Sequence, residues 1–215
     1  FAPITSEIAA ILAQGIGFRE NVRSFSLSIL TSLSGALELR FPFLSGHSSR
    51  VRDLSTRIGE RMGLANPELT ALRYAAELHD VGIVGIPGNL LAMKRRLSEQ
   101  ETEIVRKHPF LGSKMLEGVP GMDATRRAIL EHHEHFDGSG YPYGLRGDDI
   151  PLGARILSVV DYFDALMAER PYHKAMGFEA AVGLLQQEAG KGLDPQVVEK
   201  FIELLPSLQL EAAKL

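Results

Sequence analysis

The chain has no cysteine and no tryptophan, and aromatic residues fill only 7% of its 215 positions. Without cysteine there is no disulfide, no thiolate metal site and no thiol nucleophile, so any bound metal must take histidine or carboxylate ligands. No apolar run approaches the ~18 residues of a membrane span, and no signal peptide is recognisable. An excess of one charge is also missing: 23 basic residues stand against 27 acidic ones, a net charge of -4, which gives no electrostatic reason to expect nucleic-acid binding. Strand-period segments of useful length, internal repeats and low-complexity tracts are absent as well. What remains, 45% hydrophobic and 23% charged, suits a globular protein with one ample core, or one core and a smaller helical appendage. Beginning at Phe1, the sequence reads as an excised fragment.

What is present is helical periodicity. Ile8, Ile11 and Leu12 stand at helical spacing before Gly15 and Gly17 interrupt, which reads as a short helix or linker. From Phe18, residues Val22, Phe25, Ile29, Leu33 and Leu37 recur every three or four positions, an amphipathic helix ended by Pro42. That helix packs on the core or pairs with a second copy; the core reading is favoured, because the heptad is not sustained over the ~3 to 4 repeats of a coiled coil. The next helix opens near Gly46, carries His47, Val51, Leu54, Ile58 and Met62 on one stripe, and is capped by Gly63. Asn66-Pro67 starts another, with Leu69, Leu72, Ala76 and His79 on one face and Asp80 following. After an irregular apolar segment, Ser98 and Glu101 form a capping box for a helix aligning Ile104, His108, Leu111 and Met115. A helix from Asp123 brings Ile129 over His132 and His133. Ile150-Pro151 leads into a helix that places Asp161 one turn after Leu157, and helices from Phe178 to Ala189 and from Asp194-Pro195 to Pro206 close the chain. The expected fold is all-α.

The stretch that organises these elements is HHEHFDGSGYPYG, from His132 to Gly144. Adjacent histidines near a helix end need partners for their ring nitrogens, and a metal is the usual one. The turn after them spends Gly138 and Gly140 on backbone freedom and Tyr141-Pro142 on stiffness, which suits a loop beside a charged site. The intervals between Gly138, Gly140 and Gly144 are not those of the dinucleotide fingerprint, and no strand precedes them. Each histidine alone reads as an ordinary core or surface residue. Together, His47, His79, His108, His132 and His133 lie on the inward faces of four helices, with Asp80 beside His79 and Asp161 on a fifth. Burying seven such groups is expensive unless two divalent cations satisfy them. Oxygen and imidazole donors suit Fe, Mn, Zn or Ni.

The blocks GHSSRV (Gly46 to Val51), LHDVG around His79-Asp80, KHP (Lys107 to Pro109), HHEHFDGSGYP (His132 to Pro142) and IPLGARILSVVDYFDAL (Ile150 to Leu166) make the chain similar to the HD-GYP family, a branch of the HD-domain metal-dependent phosphohydrolases of bacterial signalling proteins. The resemblance implies an HD-domain helical bundle with extra helices over 35–205, an N-terminal helix or linker over 1–34 and a tail over 206–215. It implies hydrolysis of cyclic di-GMP to the linear dinucleotide pGpG or to GMP, with two divalent ions, Fe or Mn first among the candidates. Carried over, one ion falls to His47, His79, Asp80 and Asp161 and the other to Asp80, His108, His132 and His133, Asp80 bridging them and a metal-bridging hydroxide acting as nucleophile.

Tyr141, Arg170, His173 and Lys174 are the substrate contacts the resemblance implies, although Tyr141 also reads as a packed ring and Arg170 as a solvated helix-end charge. Glu134, Asp137, Gly138, Gly140 and Pro142 would shape the loop or orient the ligands, and His135 reads as exposed. The expected setting is the bacterial cytoplasm, in the output domain of a larger sensor protein. Expected partners are cyclic di-GMP, cyclase domains or other signalling proteins at the GYP loop, and a second copy through the N-terminal helix; no nucleic acid and no membrane segment are expected. The chain departs from the family pattern at Ile83, where a lysine is usual, at Gly88, where an aspartate is usual, and at His173, where the family often has a basic residue. Phe43 stands where members with a third metal carry glutamate, so two ions are expected. Ile83 is the feature behind the alternative reading, a domain that binds cyclic di-GMP without turning it over.

Overall fold

The computed structural model describes residues 2–169 and 174–212, with side chains over 14–169 and 174–206. Among the described residues there are ten α-helices and no strand: α1 (Ala2–Arg40), α2 (His47–Arg61), α3 (Asn66–Leu78), α4 (Gly88–Leu91), α5 (Glu99–Val105), α6 (His108–Met115), α7 (Asp123–Glu131), α8 (Leu152–Met167), α9 (Phe178–Glu188) and α10 (Pro195–Ala212). The main core gathers Val51 and Ile58 of α2, Leu72 and Leu78 of α3, Ile129 of α7, Ile156, Leu157 and Val160 of α8, Leu185 of α9 and Phe201 of α10. A smaller cluster of Leu37, Phe41, Leu44 and Ile83 lies where the end of α1 meets the turn after Asp80. Ile83, in the family's lysine position, is thus an apolar core residue, and Phe43 packs half-buried against the same cluster.

Four local expectations are corrected. Gly15 and Gly17 do not interrupt α1, which is one helix of 39 residues running through position 34. Glycine weakens a helix but ends it only when it takes positive φ, as Gly63 does after α2 at 76°; Gly15 and Gly17 do not. The stripe expected on this helix also changes faces. Val22, Phe25 and Ile29 are exposed, and the residues buried are Leu27, Leu30, Ser34 and Leu37. Successive steps of four advance the side chain by ~40° each, so a stripe counted 25, 29, 33, 37 begins in solvent and ends in the core.

The helix expected to carry both Ile104 and His108 is two helices. α5 has the capping box foreseen, with the Ser98 N–H donating to Glu101 Oε2 at 2.8 Å and the Glu101 N–H to Ser98 Oγ at 3.3 Å. It ends at Val105, and Pro109, which cannot supply an N–H to a continuing ladder, sits in the first turn of α6. At the other end of the chain, α10 continues past Pro206 to Ala212.

Candidate metal centre

Three histidines use one local device. The last carbonyls of a helix lack intrahelical donors. Nδ1–H of His79, just after α3, donates to Ala76 O at 2.9 Å, and Nδ1–H of His132, just after α7, donates to Ile129 O at 2.7 Å. His108 does the same to Val105 O, the last residue of α5, at 2.9 Å. A carbonyl can only accept, so the proton is on Nδ1 and Nε2 carries a lone pair. His47 reaches the same state by a different route: its Nδ1–H donates to Asp164 Oδ2 of α8 at 2.7 Å.

The lone pairs converge. His47 Nε2 lies 3.1 Å from His79 Nε2, and His133 Nε2 lies 3.3 Å from His108 Nε2. His132 Nε2 is buried without a hydrogen-bond partner. Facing acceptors at these distances repel unless positive charge stands between them. The Asp80 carboxylate lies across the two groups: Oδ2 is 3.7 Å from His47 Nε2 and 3.6 Å from His79 Nε2, while Oδ1 is 3.4 Å from His108 Nε2. Asp161 Oδ1 adds an oxygen 3.5 Å from His47 Nε2 and 3.8 Å from His79 Nε2. Two donor groups able to hold a metal result, His47–His79–Asp80 and His108–His132–His133, each with its ligand atoms within 4.8 Å of one another. Donors sharing an ion at ~2.1 Å sit roughly 3 Å apart, so the residues present fit divalent cations.

The electrostatics of His132, His133 and Asp80 point the same way, while those of His47 favour a proton that a cation would displace. Burial pushes His132 and His133 well below the ordinary imidazole value, and the surrounding histidines push further, so both are neutral and ligand-competent. Burial opposes ionisation of Asp80, but His79, His108, His47 and His132 hold its carboxyl far below the usual range. For His47, burial is outweighed by the hydrogen bond to Asp164 and the charges of Asp161, Asp80 and Asp164, and its pKa rises.

Residues that sequence reasoning missed hold the donor side chains in place. Asp164 is buried and, besides His47, accepts from Arg50 Nε at 2.6 Å and Nη2 at 3.0 Å. Its signal was the i+3 spacing from Asp161, which puts both carboxylates on one face of α8. From α1, Glu38 accepts the N–H groups of Gly46 at 2.8 Å and Ser48 at 3.2 Å, capping the turn that presents His47.

The glycine-rich loop closes over one side. Buried Glu134 accepts the N–H of Tyr143 at 2.6 Å and of Leu145 at 3.0 Å, bracing the loop. A Cβ on Gly140 would overlap the His135 nitrogen and the Glu134 backbone, so only glycine fits there, and Gly138 takes φ 85°. Exposed Asp137 accepts the Ser139 N–H at 2.9 Å. The Tyr141 ring stacks on His133 with centroids 5.0 Å apart, and the Arg106 guanidinium lies 5.1 Å over its centroid. Tyr141 is therefore both packed and part of the site's wall. Pro142 and His135 are exposed. A cleft of about 240 Å³ opens beside His132, His133 and Asp161 and is also lined by Ser158, Tyr162 and Glu188. Lys174 is exposed, and Arg170 and His173 lie outside the described residues.

A family model described as an HD domain matches residues 31–197. The chain is 37% identical over 175 residues to the cyclic di-GMP phosphodiesterase response regulator RpfG of Xanthomonas campestris pv. campestris, covering 80% of this chain and 46% of that protein. It is 33% identical to the 3'3'-cGAMP-specific phosphodiesterase 3 of Vibrio cholerae, covering 83% of this chain and 39% of that one. Among solved structures it resembles Bd1817, an HDG"Y"P protein from Bdellovibrio bacteriovorus, at a TM-score of 0.62 and 25% identity over 76% of this chain and 52% of that chain. The chain thus spans about half or less of the length of the curated relatives it matches.

Proposed function

The chain belongs to the HD-domain family, in its HD-GYP branch, and from that premise we propose that it is a metal-dependent phosphodiesterase that hydrolyses cyclic di-GMP to pGpG or GMP. The observation that carries the reading is the pair of donor groups straddled by Asp80, each of whose oxygens faces a different histidine cluster. In this reading His47, His79, Asp80 and Asp161 hold one ion, and Asp80, His108, His132 and His133 hold the other. Their nitrogen and oxygen donors suit Fe(II) or Mn(II). When bound, such a pair of ions neutralises phosphate oxygens and acidifies a water aimed in line at phosphorus.

The chain's own residues do the rest. Backbone carbonyls of Ala76, Val105 and Ile129 and the Asp164 carboxylate fix the tautomers that aim the Nε2 lone pairs inward. Tyr141, held between His133 and Arg106, presents its edge and hydroxyl at the rim of the site, and Arg106 supplies a cation for the phosphates. Water provides the oxygen that forms the new P–O bond, the ribose 3'-oxygen leaves, and the water proton ends on that leaving oxygen. No protein nucleophile is needed, which accords with a chain lacking cysteine. Among the described residues no helix is long and apolar enough to cross a membrane.

The test is turnover of cyclic di-GMP and 3'3'-cGAMP by protein prepared anaerobically with Fe(II) or Mn(II), with bound metal counted in the same sample. About two ions per chain and rapid loss of cyclic di-GMP is the expected result. Bound metal without turnover of either nucleotide would replace the enzyme with a receptor, and a preference for the mixed dinucleotide would correct the substrate.

A further inference from the structure

We propose that α1 pairs with α1 of a second copy of this chain as a parallel two-stranded coiled coil. The helix presents two apolar faces. One, Leu27, Leu30, Ser34 and Leu37, is buried against the body. The other is Phe18, Val22, Phe25, Ile29, Ser32, Ala36 and Leu39, in unbroken steps of four and three, and in the sequence the same register reaches back through Gly15, Ile11, Ile8 and Ile4. That is five heptads without a charged residue at a seam position, well past the ~3 to 4 repeats that identify a coiled coil, and it reverses the expectation from the stripe that ran on from Ile29 to Leu33 and Leu37, which leaves this register. In the heptad the buried residues fall at b and f, across the helix from a and d, so the two bodies of a pair hang outward and do not collide.

The seam is open. Phe18 and Phe25 are 70% exposed, Ile29 52%, Leu39 86% and Val22 36%. At ~150 to 200 Å² per large side chain, these five offer on the order of 500 Å² per chain and roughly 1,000 Å² per pair, the size at which specific interfaces begin. The Ser32 hydroxyl already donates to Ser28 O at 2.8 Å, so a d-position serine brings no unpaired donor into the seam.

The seam's chemistry selects a second copy in parallel. β-Branched Val22 and Ile29 at a, with Leu39 at the last d, suit a two-stranded parallel pair. Of the flanking e and g residues between 14 and 40, only Arg19 and Arg40 are charged, and both are at e. In a parallel pair, e faces g of the partner, setting Arg19 beside Gln14 and Arg40 beside Gly35. In an antiparallel pair e faces e, and a crossing near Ile29 sets the two arginines against each other.

Sedimentation equilibrium of the intact 215-residue chain at tens of micromolar tests the pairing, with twice the 23.5 kDa chain mass expected. The double variant Phe25→Glu/Ile29→Glu should sediment as a monomer with unchanged helicity by circular dichroism. Ile16→Glu, which alters an exposed residue off the seam, should remain dimeric. Ser32→Cys, the sole thiol in the chain, should give a disulfide-linked dimer on mild oxidation, since d positions face each other in the parallel register. A monomeric parent chain, including one that pairs only with a different protein, would overturn the proposal. So would a dimer that survives the double variant, or one in which Ser32→Cys does not cross-link.

Discussion

His47 depends on two groups far from it in sequence. Asp164 accepts the hydrogen bond from its Nδ1–H, and Arg50 in turn grips both Asp164 oxygens. Asp164→Asn removes the charge that favours this tautomer and breaks the bidentate pair, so metal affinity should fall ~10- to 100-fold in chelator competition while the fold persists. Unchanged affinity would mean that Asp164 only packs. The same carboxyl is depressed from 3.8 to about 2, because the His47 and Arg50 hydrogen bonds outweigh burial. A depressed acid stabilises the fold above its unfolded value and loses that contribution as pH falls through its folded value. The metal-free parent should therefore lose on the order of 2 kcal/mol between about pH 4 and pH 2 in denaturant titrations, a decline that Asp164→Asn lacks. Ile83 gives a prediction of opposite character. It is buried with Leu37, Phe41 and Leu44, so Ile83→Lys must bring an ammonium into an apolar cluster. We expect a loss of about 2 to 4 kcal/mol and no gain in turnover; a variant of parental stability with faster turnover would show that the lysine reaches the phosphate.

Helix ends, rather than helix faces, aim most of the ligands. His79 and His132 each follow the last residue of a helix and turn back onto its final carbonyls. The seven donors were legible in the sequence because each sits at helical spacing from apolar residues, a pattern that survives errors of one or two positions at an element's end. The break between α5 and α6 was missed although Pro109 marks it, because His108 stays in phase with Ile104 whether or not the chain bends between them. Nor could spacing reveal Arg50 with Asp164, 114 residues apart, or Glu38, whose partners lie on the next helix. Glu38 carries the position of α1 into the site by accepting two N–H groups on either side of His47. Glu38→Ala should cost about 1 to 2 kcal/mol in denaturant melts, the range of a lost helix cap, and should weaken metal binding as well. A variant with the stability loss alone would separate the cap from the site.

At the scale of the molecule, the candidate metal centre would also act as a clamp. Its donors come from α2, the end of α3, α6, the end of α7 and α8, and apart from α6 these elements build the main core. The all-helical fold and the convergence of these donors were readable from apolar periodicity, whereas the second face of α1 emerged only once the buried face was known. Without cations, the core must accommodate imidazole lone pairs 3.1 and 3.3 Å apart and a buried His132 Nε2 without a hydrogen-bond partner. Metal binding at these two groups should therefore be coupled to folding. Each site that binds only the native state adds RT ln(1 + [M]/Kd), roughly 2.7 kcal/mol at a hundredfold excess over Kd, so two sites should add about 5 kcal/mol. Calorimetric melts in buffered free Mn(II) should show Tm climbing with metal at about twice the slope of a one-site protein, and chelation should return the chain to a low, metal-independent Tm. His132→Ala should leave a single-site slope, because His47, His79 and Asp161 still hold one ion with Asp80. A Tm indifferent to divalent metal would mean that the five imidazoles are reconciled by protons alone, and both the two-ion site and the hydrolysis built on it would fall together.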